Sequence, residues 1–119
     1  MEENGVMEIE LPYPPSINHY WRRVGPRTLI SREGRHFRKR VMAILAAMGI
    51  RPLCGRLAVE IEIYPPDNRR RDLDNLFKGL LDAMQHGGAY IDDSQIVRLS
   101  IEKRKPIEGG KTIVRIEKL

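Results

Sequence analysis

At 119 residues, with 41% hydrophobic and 6% aromatic residues, the chain is long enough for one hydrophobic core and too apolar to be disordered. The net charge of +5 and a pI near 9.7 make an anionic partner the natural one. The only cysteine, Cys54, excludes an internal disulfide, suits a reducing compartment and reads as a small buried hydrophobe. Residues 1–5 show neither a basic start nor an apolar stretch, and the longest mostly apolar run, 41–50, is too short to span a membrane. A soluble cytoplasmic protein without membrane association is expected.

From Met7 to Leu11, apolar and acidic residues alternate, the period of a half-buried strand. Tyr13, Pro14, Pro15 and Ser16 stop it, and a polar, basic and aromatic loop is expected through Arg27. Ser31 is the expected N-cap of a helix over 31–48, with Phe37, Val41, Ile44, Leu45 and Met48 facing the core and Gly49 at its end. Residues 57–63 alternate again and predict a strand, ended by Pro65 and Pro66. A second helix is expected over 75–86, closed by Gly87 and Gly88, with Leu76, Phe77, Leu80, Leu81 and Met84 as its buried stripe. Strands over 97–101 and 112–116 follow, and the 106–110 connection reads as a hairpin. The whole chain, 1–119, is one α+β domain in the order β-α-β-α-β-β, with helices packed on a mixed four-stranded sheet.

Positive charge is concentrated. Between residues 16 and 42 there are eight Arg or Lys and one Glu, so the segment carries 8 − 1 = +7. A second basic block, Arg69-Arg70-Arg71, stands directly before Asp72 and Asp74, and Asp92-Asp93 follows downstream. Carboxylates beside so many cations suit a hard divalent metal such as Mg²⁺ held against a phosphate. Arginines fork onto phosphate oxygens. On a helix Asp72 and Asp74 would diverge by about 200°. In an extended lead-in they point the same way, with Asp74 as the helix N-cap. Asp74, Lys78 and Asp82 are then four apart on one helix face, which carries Lys78 one turn above the carboxylates. The reading is a metal-dependent phosphodiesterase acting on nucleic acid. An Asp cap with exposed ion pairs would explain Asp74 alone, but not Asp72, the arginines and Asp92-Asp93 together.

Several of these residues carry a resemblance. Arg70-Arg71-Asp72-Leu73-Asp74-Asn75-Leu76, Lys78, Leu81-Asp82-Ala83 and Ile91-Asp92-Asp93-Ser94-Gln95-Ile96 are similar to the signature of the RusA family of Holliday-junction resolvases. So is the opening Leu11-Pro12-Tyr13-Pro14-Pro15-Ser16-Ile17-Asn18, and the likeness covers essentially the whole chain. It implies a homodimeric, Mg²⁺-dependent endonuclease that cuts four-way DNA junctions symmetrically in recombination and repair, in a bacterial or phage-infected cell. By position, Asp72, Asp74 and Asp93 match the acidic catalytic and metal-holding residues, and Lys78 matches a lysine needed for cleavage. Asp92 can cap or orient instead of ligating. The expected DNA contacts are Asn18, Arg22, Arg23, Arg69, Arg70 and Arg71. His19 stays open between a phosphate contact and a surface residue, and Tyr20 and Trp21 between DNA packing and anchoring the loop.

Two other functions stay open at this point. One is a nuclease of the same chemistry acting on flaps, forks or other branched nucleic acid. The other is a non-catalytic nucleic-acid-binding module whose aspartates merely cap and pair. Cleavage of matched branched substrates, with and without Mg²⁺, separates the three.

Overall fold

The computed structural model describes residues 6–119; residues 1–5, which lack a basic or apolar start, lie outside them. The first strand, β1 (Val6–Leu11), turns Met7, Ile9 and Leu11 inward and leaves Glu8 and Glu10 outside, as its alternation requires. Where a loop is expected through Arg27, the chain forms a four-residue helix α1 (Ile17–Tyr20) and the strand β2 (Trp21–Val24), and a further strand β3 (Arg27–Ile30) follows from its end. Those strands pair antiparallel as a separate two-stranded ribbon, turning at Gly25, whose φ of +61° suits glycine. Sequence periodicity misses them because Arg22, Arg23 and Arg27 occupy their outer positions and little is buried.

Helix α2 (Arg32–Ala47) begins as expected, the Ser31 hydroxyl accepting from the Gly34 amide at 2.9 Å. Phe37, Val41 and Leu45 are buried, Ile44 is partly so, and Met48, expected in the core, is exposed just beyond the last helical turn. After Gly49, in the left-handed region at φ +70°, the chain passes Cys54. Cys54 is exposed, which corrects its reading as a core residue: it sits in a surface connection before the sheet resumes. Strand β4 (Leu57–Tyr64) follows, then α3 (Asp74–Gly87), a 3-10 turn (Asp93–Gln95), β5 (Ile96–Lys103) and β6 (Lys111–Lys118).

The four-stranded sheet has the order β1-β6-β4-β5. β6 is antiparallel to both β1 and β4, whereas β4 and β5 run parallel across α3. The sheet is therefore mixed, but the expected hairpin between β5 and β6 does not exist. The connection wraps the end of β4 instead, with Arg104 N–H on the Ile63 carbonyl (2.7 Å) and Ile107 N–H on that of Pro65 (2.9 Å). Strand pattern explains the placement. β6 buries Thr112, Val114 and Ile116 and takes an interior position, while β5 exposes most of its residues and forms an edge.

One face of the sheet is closed by α2 and α3. Ile9, Leu57, Ile61, Ile63, Val114 and Ile116 meet Val41, Leu45, Leu80 and Met84 there, each at most 1% exposed. Burying each such side chain contributes about 1.5–3 kcal/mol. Tyr20 joins this core at 0% exposure, close above Gly79, where a Cβ would lie 2.9 Å from the tyrosine ring. Tyr20 thus anchors the N-terminal loop to α3.

Candidate functional site

The motif-bearing segments of the sequence meet along α3. A cleft of about 580 Å³ lies between the N-terminal segment and the start of this helix. Pro15, Asn18 and His19 face Arg69, Arg70, Asp72 and Asn75 across it. His19 belongs to this cleft, its Nδ1 lying 3.3 Å from the Ser16 hydroxyl. Further along α3 is a second groove, shared by Trp21, Lys78 and Asp93. Arg22 and Arg23 extend from β2 on the exposed ribbon.

The loop between β4 and α3 is organised around Arg71. Its Nη1 lies 2.8 Å from Asp67 Oδ1 and donates to the carbonyls of Asp67 and Arg69, and its guanidinium lies over the Tyr13 ring. Lys103 of β5 donates to the Arg71 carbonyl at 2.8 Å. Hydrogen bonds from Arg71, and then from the Arg69 amide, hold the Asp67 carboxyl well below the usual carboxylate range. The three arginines therefore differ. Arg71 braces the loop with a side chain 18% exposed, Arg69 is 81% exposed with one long contact to Asp67, and Arg70 is exposed.

Asp74 is not the N-cap. Leu73 occupies that position with helical φ/ψ of −61° and −38°, and the Asn75 amide already donates to the Asp72 carbonyl at 3.1 Å. The helical turn starts one residue early, so the extended lead-in that would point Asp72 and Asp74 the same way is absent. Asp74 instead lies in the first turn, where a carboxylate favours the helix dipole. Asp72, Asp74 and Lys78 are all exposed.

Asp92 and Asp93 have separate duties. Asp92 caps the 3-10 turn, accepting from the Ser94 amide at 3.0 Å in a reciprocal box with Gln95, and these bonds lower its pKa. The Asp93 amide donates to Gln85 Oε1 of α3 at 2.9 Å, while its carboxylate stays exposed. Gln95 clamps the same loop: Oε1 accepts from the Ile91 and Asp92 amides, and Nε2 donates to the Leu53 and Gly55 carbonyls. Gln95 is marked in the sequence by the Asp-x-x-Gln spacing of a capping box, whereas Gln85 is not, because its bond to the Asp93 amide depends on the fold.

Asp82 lines the same groove as Lys78 but is engaged by other partners. It accepts from the Tyr20 hydroxyl and from Arg38, whose Nε and Nη2 lie at 3.0 and 2.7 Å. Among the described residues, no ion pair engages Lys78, Asp72 or Asp93, and no three His, Cys, Asp or Glu side chains gather closely enough to hold a metal ion. Asp72 lines the cleft and Asp93 the groove. Their all-oxygen chemistry fits a hard cation, but the single chain does not close the three expected carboxylates into one site.

Comparison with known proteins decides the family. The model of the family described as endodeoxyribonuclease RusA matches residues 12–117.

The chain belongs to the RusA family.

It is 40% identical over 110 residues to the crossover junction endodeoxyribonuclease rusA of Enterobacteria phage HK97, covering 92% of both chains. It is 39% identical over 112 residues to the crossover junction endodeoxyribonucleases of Escherichia coli strain K12 and Enterobacteria phage 82, covering 93% of each chain. Within the RusA frame the motifs lie along one helix and the loops at its two ends. As in any nuclease of this family, a divalent metal is implied. No helix among the described residues is long and apolar enough to cross a membrane.

Proposed function

We propose that this RusA-family chain is a Mg²⁺-dependent endonuclease that resolves four-way DNA junctions by paired, symmetric phosphodiester cleavage. It acts as a cytoplasmic homodimer in recombination and repair. The observation that carries the reading is the cleft at the start of α3, where exposed Arg69 and Arg70 stand beside Asp72 and opposite Asn18 and His19. Close relatives named as crossover junction endodeoxyribonucleases support the substrate.

Each residue has a chemical task. Arg69 and Arg70, with Arg22, Arg23 and Asn18, bind backbone phosphates and set the position of the junction. Arg71 takes part by holding the loop that presents its two neighbours. Asp72, Asp74 and Asp93 are the residues that would hold Mg²⁺. When bound, the cation supplies positive charge against the phosphate being cut. Lys78, exposed on α3 beside the groove that includes Asp93, stabilises charge developing on the phosphate oxygens. Two-fold symmetry of a homodimer matches the two related strands of a junction.

The test is a set of synthetic substrates: four-way junction, fork, flap and linear duplex, each with and without Mg²⁺. Paired nicks in opposite junction strands, dependent on Mg²⁺, are the expected result. Equal cutting of forks or flaps transfers the assignment to a general branched-DNA nuclease. Junction binding without cutting in any metal overturns the catalytic reading.

A further inference from the structure

We infer that the groove between Trp21 and α3 binds a nucleobase lifted out of the stack next to the phosphate being cut, an inference that rests on the junction-resolving function proposed above. The groove is open to solvent and has a volume of about 450 Å³. That falls within the roughly 300–1,000 Å³ of sites that take small ligands. One wall is Ile17 and Trp21, and the other is Phe77 and Leu81 of α3, with Lys78 and Asp93 among its lining residues.

Its lining places apolar and aromatic side chains beside one ammonium, the groups that a base and its phosphate need. Phe77 and Leu81 continue the apolar stripe of α3; Leu81 packs in part against the core, and both remain partly exposed and line the groove. A flat aromatic surface beside a lone cation suits a base with its phosphate: every base has a π-face, and the phosphate seeks the ammonium. Among the described residues, Lys78 has no ion pair to divert it. The second acidic group at the groove, Asp82, is neutralised by Arg38 at 2.7 Å and so does not repel a phosphate.

Trp21 is also held in place before any DNA arrives. Its ring meets that of Tyr20 edge to face, 5.0 Å between centroids, and the Arg38 guanidinium lies over it at 5.8 Å. Tyr20 and Arg38 are themselves fixed on Asp82. An aromatic platform ordered in the free protein loses little freedom when a base stacks on it.

Trp21 is the only tryptophan of the chain, so its fluorescence reports this groove directly. The experiment titrates the whole protein, without Mg²⁺, with a four-way junction and with a linear duplex of the same sequence. Binding is followed independently by the anisotropy of a fluorescein placed at a DNA end. Base stacking on the indole should lower its emission about twofold with the junction and leave it nearly unchanged with the duplex. Trp21→Leu should weaken junction binding about tenfold, and Trp21→Tyr should restore most of it. If Trp21→Leu fails to fold, the wild-type emission still decides. Junction binding by anisotropy with unaltered Trp21 emission overturns the inference alone. Absence of any preference for the junction in anisotropy overturns the proposed substrate and the inference together.

Discussion

Nη2 of Arg38 lies 2.7 Å from Oδ2 of Asp82, and this contact ties the basic helix α2 to the helix that carries Lys78. Both side chains are a little over one-fifth exposed, and the Tyr20 hydroxyl donates to the same carboxylate oxygen. Asp82→Ala leaves a half-buried guanidinium and a phenol without their acceptor, which should cost about 2 kcal/mol. Asp82→Asn retains an acceptor and should cost roughly half as much. Urea unfolding reads this as a lower midpoint at constant slope. A wild-type midpoint for the alanine variant would show that the contact contributes nothing to stability.

Burial pushes the Tyr90 hydroxyl far above its ordinary value, and burial, then the bond to Asp82, does the same for Tyr20. The neutral phenols are the native forms. Their contribution is therefore complete below the unfolded-state value of about 10 and is lost as pH rises from there towards the folded-state values. Unfolding free energy should fall by about 1.4 kcal/mol per pH unit for each of these tyrosines above pH 10. In Tyr90→Phe that alkaline slope should be smaller by one such increment. Parallel curves for variant and wild type would contradict the assignment.

Asp72→Asn and Asp74→Asn should each abolish cleavage while leaving junction binding intact, since Asn keeps the shape and removes the charge. Less negative charge beside the arginines should slightly strengthen binding. Gel shifts without metal and cleavage with Mg²⁺ separate the two effects. A variant that cuts at near wild-type rate removes that aspartate from the metal-holding set.

The arginines predict two different phenotypes. Replacing Arg69 and Arg70 with Ala should weaken DNA binding and lower the log–log salt slope by about one unit for each phosphate no longer neutralised. Arg71→Ala should instead loosen the loop between β4 and α3 and leave the salt slope nearly unchanged, because it removes the partner of Asp67 and the donor to two carbonyls. An unchanged salt slope in the double variant places Arg69 and Arg70 away from the DNA.

What the sequence made legible depended on local patterning. Met7 to Leu11 and residues 57–63 alternate cleanly, and Ser31 caps a helix whose apolar spacing is regular, so these elements appear where expected. The Trp21–Val24 and Arg27–Ile30 ribbon escaped because it buries almost nothing, and burial is what writes periodicity into a strand. The position of β6 between β1 and β4 is a tertiary choice that a connection of a few residues does not record. The same holds at the site. Asp72, Asp74, Lys78 and Asp93 announce themselves by type and spacing, whereas Gln85 of α3 supports Asp93, and Gln95 reaches the Leu53 and Gly55 carbonyls, through hydrogen bonds that only the folded chain creates. Leu73 shows the limit most directly: one residue in a helical conformation changes where two neighbouring carboxylates point.

Lys78 tests whether the helix geometry carries chemistry. It is exposed, four residues from both Asp74 and Asp82, yet Asp82 is engaged by Arg38 and Tyr20, and no ion pair holds Lys78 among the described residues. A lysine paired on the surface would contribute little to either rate or stability. One placed against the phosphate contributes through transition-state charge, and Lys78→Ala should lower the cleavage rate about 10²-fold or more. Its unfolding midpoint should stay close to wild type, because an exposed polar substitution costs little stability. Single-turnover kinetics on a four-way junction at saturating enzyme separates chemistry from binding. Wild-type speed for the alanine variant would return Lys78 to the solvated surface of α3.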